Sequence, residues 1–181
     1  MFKLSAKSPF EGLLPRQIGS VAIKEYTTEY ITIVDIPFGR EDQLCSVLKR
    51  NHGITLPKVN KSTGQIGRCC LSFGGRYLLL GLKPCSDLAN VGRLTDVSDG
   101  FAILHAEGEE IEAVLARLVP INLCKSVFKL GDTAKTLVQH MEASITKISE
   151  KNFQIIVFRS MACTLVHDLV RAMDSIAYRV A

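Results

Sequence analysis

The chain has 181 residues, of which 47% are hydrophobic and 22% are charged, and its formal net charge is +4. This composition predicts a globular protein of one domain, or of two small modules packed closely together, and excludes a disordered chain. The Lys and Arg residues are scattered singly, which argues against a dedicated nucleic-acid binder, since such proteins concentrate positive charge on one face.

The N-terminal segment and the longest apolar run are not expected to be a targeting signal or a membrane span. The opening residues, MFKLSAKSPFEGLLP, contain no long apolar run followed by small residues, so they do not read as a secretory signal. The apolar run from Tyr77 to Leu82 is too short to span a bilayer. The sequence therefore predicts a cytoplasmic protein with no membrane partner.

Residues 1–19 are predicted to form an extended arm, because Pro9, Gly12 and Pro15 stand among polar residues. An exposed arm usually lies on another surface. Three of its apolar side chains are therefore the predicted partner-binding residues, and the arm is expected to be poorly ordered in the isolated chain. These residues are Phe10, Leu13 and Leu14.

The first half of the chain then alternates between strand and helix patterns. Alternating apolar residues predict strands at 21–23 and 31–33, and a helical period predicts a helix over 41–51 that stops at Gly53. The polar segment 57–67 is predicted to be a surface loop. Two apolar runs flank Gly74-Gly75, a dipeptide that favours a hairpin turn.

The second half repeats this order. Asp99-Gly100 predicts a turn, and a helix is expected over 109–118, where Pro120 follows. Three further strands are predicted at 133–140, 144–148 and 153–158. A final helix is predicted to begin at Ser160, a good N-cap residue.

Strand pairs that alternate with helices predict an α+β fold. We expect two packed modules of ferredoxin-like type, each an antiparallel sheet with helices on one face. The first would span residues 20–92 and the second 93–181, packed so intimately that they can count as one domain.

The motifs of common catalytic and cofactor sites are missing. The sequence has no G-x-G-x-x-G, no G-x-x-x-x-G-K-[ST] and no G-x-S-x-G, its histidines are dispersed, and no two cysteines are spaced C-x-x-C. Asp96 and Asp99 stand three residues apart at a turn, so they are not expected to share a proton. The sequence therefore predicts no catalytic, cofactor-binding or metal-binding residue, and an isolated chain without activity.

Several segments, taken in order, resemble the gamma subunit of heterotetrameric sarcosine oxidase. They cover nearly the whole chain, and their order and spacing make the resemblance more specific than any one of them. The segments are SPFEGLLP (8–15), GITLP (53–57), RYLLLGL (76–82), LTDVSDG (94–100), LARLVPINL (115–123), FKLGDTAKTLVQH (128–140) and FRSMACTLVHDLVRAM (158–173).

The resemblance implies a noncatalytic subunit of a complex that oxidatively demethylates sarcosine to glycine and passes the one-carbon unit to tetrahydrofolate. It implies that this chain packs directly against the alpha subunit, with beta and delta subunits in the same complex. FAD, FMN, NAD, tetrahydrofolate and zinc would all lie on those partner subunits.

The gamma fold is similar to the folate-binding half of the glycine-cleavage T-protein. On that analogy, Asp96-Val97-Ser98 is a structural strand end in which Ser98 bonds nearby backbone. Glu142 falls near the place of a T-protein aspartate that serves folate chemistry, although a solvated carboxylate explains it as well.

Two alternatives stay open. The chain could be a free-standing folate or one-carbon binding protein of the T-protein type. It could also be an RNA-binding module, which would require exposed aromatic side chains on a sheet face, with Tyr26, Tyr30 and Phe73 as candidates.

Overall fold

The computed structural model describes residues 6–73 and 76–180. They form two antiparallel sheets and four α-helices, so the predicted α+β class is confirmed. The strands are β1 (Arg16–Ile18), β2 (Val21–Tyr26), β3 (Ile31–Asp35), β4 (Ser62–Gln65), β5 (Arg68–Ser72), β6 (Arg76–Leu80), β7 (Arg93–Asp96), β8 (Phe101–Gly108), β9 (Thr133–Val138), β10 (Met141–Ser149) and β11 (Asn152–Phe158). The helices are α1 (Glu41–His52), α2 (Ser86–Val91), α3 (Ile111–Leu115) and α4 (Ala162–Val180).

The two sheets pack face to face, and each carries its helices on the outer side. The six-stranded sheet has the order β1-β2-β8-β11-β10-β9, and the five-stranded sheet has the order β4-β5-β6-β3-β7. One apolar cluster joins the six-stranded sheet to α3 and α4, a second joins the five-stranded sheet to α1 and α2, and a third lies between the sheets. Each sheet therefore buries both of its faces.

The period of two along each strand explains these layers. In β8, Ala102 and Leu104 belong to the cluster under the helices, whereas Ile103 belongs to the cluster between the sheets. The adjacent cysteines divide as the alternation predicts: Cys69 faces the other sheet and Cys70 faces the helices.

The two sheets do not divide the chain at the predicted module boundary between residues 92 and 93. Strand β2, assigned by sequence to the first module, pairs with β8, and β7, assigned to the second, pairs with β3. The predicted turn at Asp99-Gly100 forms, with the Gly100 N–H donating to the Val97 carbonyl at 2.9 Å. It carries the chain from one sheet to the other, because β7 and β8 take partners in different sheets.

The structure corrects two local predictions and agrees with a third. The segment 57–67 is not entirely loop, since it contains β4, which pairs with β5. Strands β5 and β6 pair as the hairpin prediction requires, while Gly74 and Gly75 lie outside the described residues. Ser160 lies within a 3-10 turn, Arg159–Met161, and does not cap α4.

The described part of the predicted arm, residues 6–19, belongs largely to the fold, and residues 1–5 lie outside the described residues. Phe10 is 1% exposed in the core under α3 and α4, and Leu13 and Leu14 pack partly against that core. Strand β1 extends the six-stranded sheet. The expectation that Phe10 awaits a partner is therefore wrong, because its ring gains the same apolar burial within its own chain, without the entropy cost of association.

Among the helices of the described residues, none combines the length and the apolar character that crossing a membrane requires.

Candidate functional site

A cleft of about 600 Å³ opens at one end of the layer between the sheets. It forms where side chains of β3 and β6 face those of β10 and β11 without filling the space between them. Its floor contains the buried residues Leu78 and Ile156. The lining residues are Ile33, Asp35, Phe73, Arg76, Leu78, Phe101, Lys135, Glu142, Ala143, Ser144, Ile156 and Phe158.

One wall of the cleft is an aromatic pair. Phe101 and Phe158 are opposite each other in the pairing of β8 with β11, and their rings stack with centroids 5.3 Å apart. Phe158 remains 46% exposed. A partly exposed, preorganised aromatic pair is typical of the anchor residues of protein interfaces.

Two ion pairs border this apolar surface. Arg76 Nε donates to Asp35 Oδ1 at 2.7 Å, and Lys135 Nζ lies 3.4 Å from Glu142 Oε2. All four side chains are well exposed, so each pair contributes little to stability and can exchange partners. Glu142, the carboxylate singled out by analogy with the T-protein, is thus a solvated group beside a lysine.

Sequence reasoning missed most of this cleft. Phe101, Phe158, Asp35 and Arg76 belong to strands that are far apart in the chain, and no motif joins them. A signal existed in β11, where Phe158 shares the face of Ile156, so the strand period could have placed its ring between the sheets.

A polar cluster lies in the same layer, away from the cleft. The rings of His105 and Tyr26 stack with centroids 4.7 Å apart, and His105 Nε2 lies 3.3 Å from Gln154 Oε1. Tyr26, a candidate of the RNA-binding alternative, therefore packs against a buried histidine, and Phe73, another candidate, lines the cleft. These contacts do not provide the exposed sheet face that RNA stacking needs.

Burial lowers the pKa of His105, with a smaller opposing effect from the hydrogen bond to Gln154. As the pH falls, the unfolded chain therefore takes up a proton at this histidine before the folded chain does. The stability contributed by neutral His105 is fully present above the unfolded pKa near 6.5, and it falls as the pH drops through and below that value.

We expect His105→Phe, which keeps a ring on Tyr26, to flatten the dependence of unfolding free energy on pH between neutral and mildly acidic pH. Urea unfolding at several pH values measures this dependence. Equal slopes of unfolding free energy against pH in the unmodified chain and the variant would refute the prediction. Burial also lowers the pKa of His52, so some slope should remain.

The segment Asp96-Val97-Ser98 ties β7 to the start of β3. Ser98 Oγ accepts a hydrogen bond from the Ile31 N–H at 3.0 Å, so the predicted bond from Ser98 to nearby backbone is present. Asp96 Oδ1 in turn accepts from the Ser98 hydroxyl at 2.6 Å and from the Ser98 N–H at 3.0 Å. These bonds, the hydroxyl first, lower the pKa of Asp96. The segment therefore has a structural role, because its hydrogen bonds hold the end of β7 against the start of β3.

Ser98→Ala should destabilise the chain by about 1 kcal/mol, because the Ile31 N–H loses its acceptor. Ser46→Ala is the matched control, since the Ser46 hydroxyl bonds to the Asp42 carbonyl on an exposed helix face. Chemical denaturation should show a change within about 0.5 kcal/mol for the control. Equal stability of the two variants would contradict the structural role of the Ser98 hydroxyl.

The cysteines and histidines do not converge on a metal site in the described ranges. Within residues 6–73 and 76–180, no group of three His, Cys, Asp or Glu side chains is placed to hold a metal ion. Burial raises the pKa of Cys69 to about 12, so its thiol is protonated at neutral pH and a poor nucleophile.

Comparison with known proteins shows which fold this is. No family model matches the sequence, and a search of curated proteins finds no match. Among solved structures, the chain is similar to a chain of the heterotetrameric sarcosine oxidase from Corynebacterium sp. U-96, determined in complex with pyrrole 2-carboxylate, with a TM-score of 0.81 and 19% identity. The alignment covers 95% of this chain and 96% of that chain.

The chain is also similar to the glycine cleavage system aminomethyltransferase T from Bartonella henselae, with a TM-score of 0.55 and 13% identity. That alignment covers 84% of this chain and 46% of the aminomethyltransferase, so the present chain spans about half of that protein. At these identities the two likenesses establish a shared fold.

Proposed function

We propose that this chain is the noncatalytic gamma subunit of a heterotetrameric sarcosine oxidase. The observation that carries the proposal is the likeness to a chain of that enzyme, which extends from end to end of both chains at a TM-score of 0.81. Almost nothing is left unaligned on either side. Fold alone does not determine function, so the ordered sequence segments described above are the second support.

In this role the chain stabilises the alpha subunit directly and belongs to a cytoplasmic complex that also contains beta and delta subunits. FAD, FMN, NAD, tetrahydrofolate and zinc are held by those partners, and the isolated chain does not turn over sarcosine. Demethylation of sarcosine to glycine, with transfer of the one-carbon unit to tetrahydrofolate, is the activity of the whole complex.

The surface proposed to meet a partner includes Leu13 and Leu14, which are partly exposed beside the core under α3 and α4. Phe10 takes no direct part, since it is buried in its own chain. Phe158, with nearly half of its surface exposed, is a further apolar anchor.

Affinity purification of the tagged chain from its native cells tests the proposal. We expect flavin-containing large subunits to copurify, and sarcosine oxidation to appear in the complex and not in the free chain. Leu13→Ser should weaken copurification, whereas Ser46→Ala, a change at an exposed polar side chain, should not. Recovery of the chain without any flavoprotein subunit would refute the proposal.

A free-standing folate or one-carbon binder is the second candidate, favoured by the likeness to an aminomethyltransferase and by the aromatic cleft with its adjoining charges. Calorimetry of the purified chain with tetrahydrofolate separates the two. The subunit proposal predicts no heat of binding, and saturable binding abolished by Phe158→Ala would favour the second candidate.

A further inference from the structure

A second pocket, of about 500 Å³, lies on the helical side of the six-stranded sheet. Three elements that are distant in sequence form it: the turn after α3, the turn between β9 and β10, and the middle of α4. Its lining residues are Arg117, Leu118, Gln139, His140, Asp168, Arg171, Ala172 and Ser175.

The spacing along α4 explains why four of these residues share the pocket. Asp168, Arg171, Ala172 and Ser175 follow the i, i+3, i+4, i+7 pattern of a single helix face. This stripe borders the buried face of α4, so Ala172 is buried. Ala172 and the buried Leu118 form an apolar floor, and the polar residues of the lining form the walls above it.

Two hydrogen bonds hold the walls in place. Arg117 Nη1 donates to Ser175 Oγ at 2.7 Å, which positions the guanidinium and leaves most of its five N–H donors free. The Gln139 N–H donates to the Leu118 carbonyl at 2.8 Å, which fixes the β9–β10 turn and His140 against the end of the α3 segment.

Charged side chains of both signs line this pocket, and Arg117, Arg171 and His140 are exposed. Among the ion pairs within 4.0 Å in the described part of the chain, none involves Arg117, Arg171, His140 or Asp168. Asp168 is half-buried. An anionic ligand would use the guanidinium groups but be repelled by Asp168, and a cationic ligand would meet two guanidinium groups.

We propose that this pocket binds a free α-amino acid in its zwitterionic form. The ligand carboxylate accepts hydrogen bonds from the guanidinium groups of Arg117 and Arg171, the chemistry to which Arg is best suited. The ligand ammonium donates to the Asp168 carboxylate. An uncharged side chain then lies on the floor formed by Leu118 and Ala172. The inference stands apart from the proposed function, in which this chain is noncatalytic.

L-alanine is the probe, and propionate and ethylamine are its matched controls, because each lacks one of its two charges. Titration of the full chain, followed by backbone amide NMR shifts, should give saturable changes around residues 117–118, 139–140 and 168–175 with L-alanine. Loss of one charged hydrogen-bonding group should make propionate and ethylamine bind about tenfold more weakly or worse. Equal binding of propionate and L-alanine, or no saturable change with L-alanine, would overturn the proposal.

Substitutions distinguish a zwitterion site from an anion site. Asp168→Asn and Arg171→Gln should each weaken L-alanine binding by about tenfold or more. Asp174→Asn, at an exposed position of the same helix and outside the pocket, should leave it unchanged. Tighter binding of propionate to the Asp168→Asn variant, without loss of L-alanine binding, would show an anion site and contradict the proposal. The comparison of probes on the unmodified chain decides the matter even if a variant fails to fold.

Discussion

Phe10→Ala should lower the free energy of unfolding of the isolated chain by about 3–5 kcal/mol, the usual cost of removing a buried phenylalanine ring. The ring is 1% exposed and lies in the cluster that joins the six-stranded sheet to α3 and α4. Truncation leaves a cavity that neighbouring side chains fill only in part. Chemical denaturation followed by circular dichroism measures the change without any partner.

The matched control is Phe38→Ala, since the Phe38 side chain is 103% exposed. We expect its stability to stay within about 0.5 kcal/mol of the unmodified chain. If both variants were equally stable, the N-terminal segment would be detached from the core in solution, and the original expectation of an arm awaiting a partner would be restored.

The second large effect concerns a buried ion pair. Lys147 Nζ donates to Glu112 Oε1 at 2.6 Å, and the lysine side chain is 3% exposed whereas the glutamate is 30% exposed. The ammonium also lies 5.2 Å from the centre of the Phe153 ring. The charge of Lys147 is therefore compensated chiefly by one carboxylate on α3.

Glu112→Gln should cost about 3 kcal/mol, because it leaves a buried ammonium without its carboxylate. The double variant Glu112→Gln with Lys147→Met should recover much of this loss, since an apolar side chain of similar length needs no counter-charge. Denaturation curves of the two single variants and the double variant form the required cycle.

The exposed pair of Lys135 and Glu142 supplies the control. Its side chains are 60% and 55% exposed, so Glu142→Gln should change stability by less than about 1 kcal/mol. A cost for Glu112→Gln no larger than that of Glu142→Gln would mean that water reaches the ammonium of Lys147.

Local sequence patterns predicted individual elements well where the signal was contained in the element itself. Helix α1 follows its apolar period and ends where Gly53 adopts a φ of 69°, a left-handed conformation that glycine enters freely. Strands β8 and β11 follow largely apolar runs, which His105 and Gln154 interrupt. These features depend on side chains within a few residues of one another, so the sequence displays them directly.

The choice of strand partners could not be read in this way. Alternation shows that a strand has buried faces, but it does not say which strand lies beside it. For that reason the predicted modules group β2 and β7 with strands of the other sheet. The burial of Lys147 could have been predicted, since it shares the inward face of Ala143 and Ile145 in β10. Its ion-pair partner could not, because Glu112 lies 35 residues away in the sequence.

The sequence by itself determined the α+β class, the strand and helix patterns, and the resemblance on which the proposed function partly depends. Tertiary structure alone decided which strands share a sheet, that Phe10 belongs to the core, and that Arg117, His140 and Asp168 line one pocket. The physical reason is one of range. Backbone conformation and amphipathic period arise from near neighbours in the chain, whereas pairing, burial and charge compensation arise from residues that only the folded chain brings together.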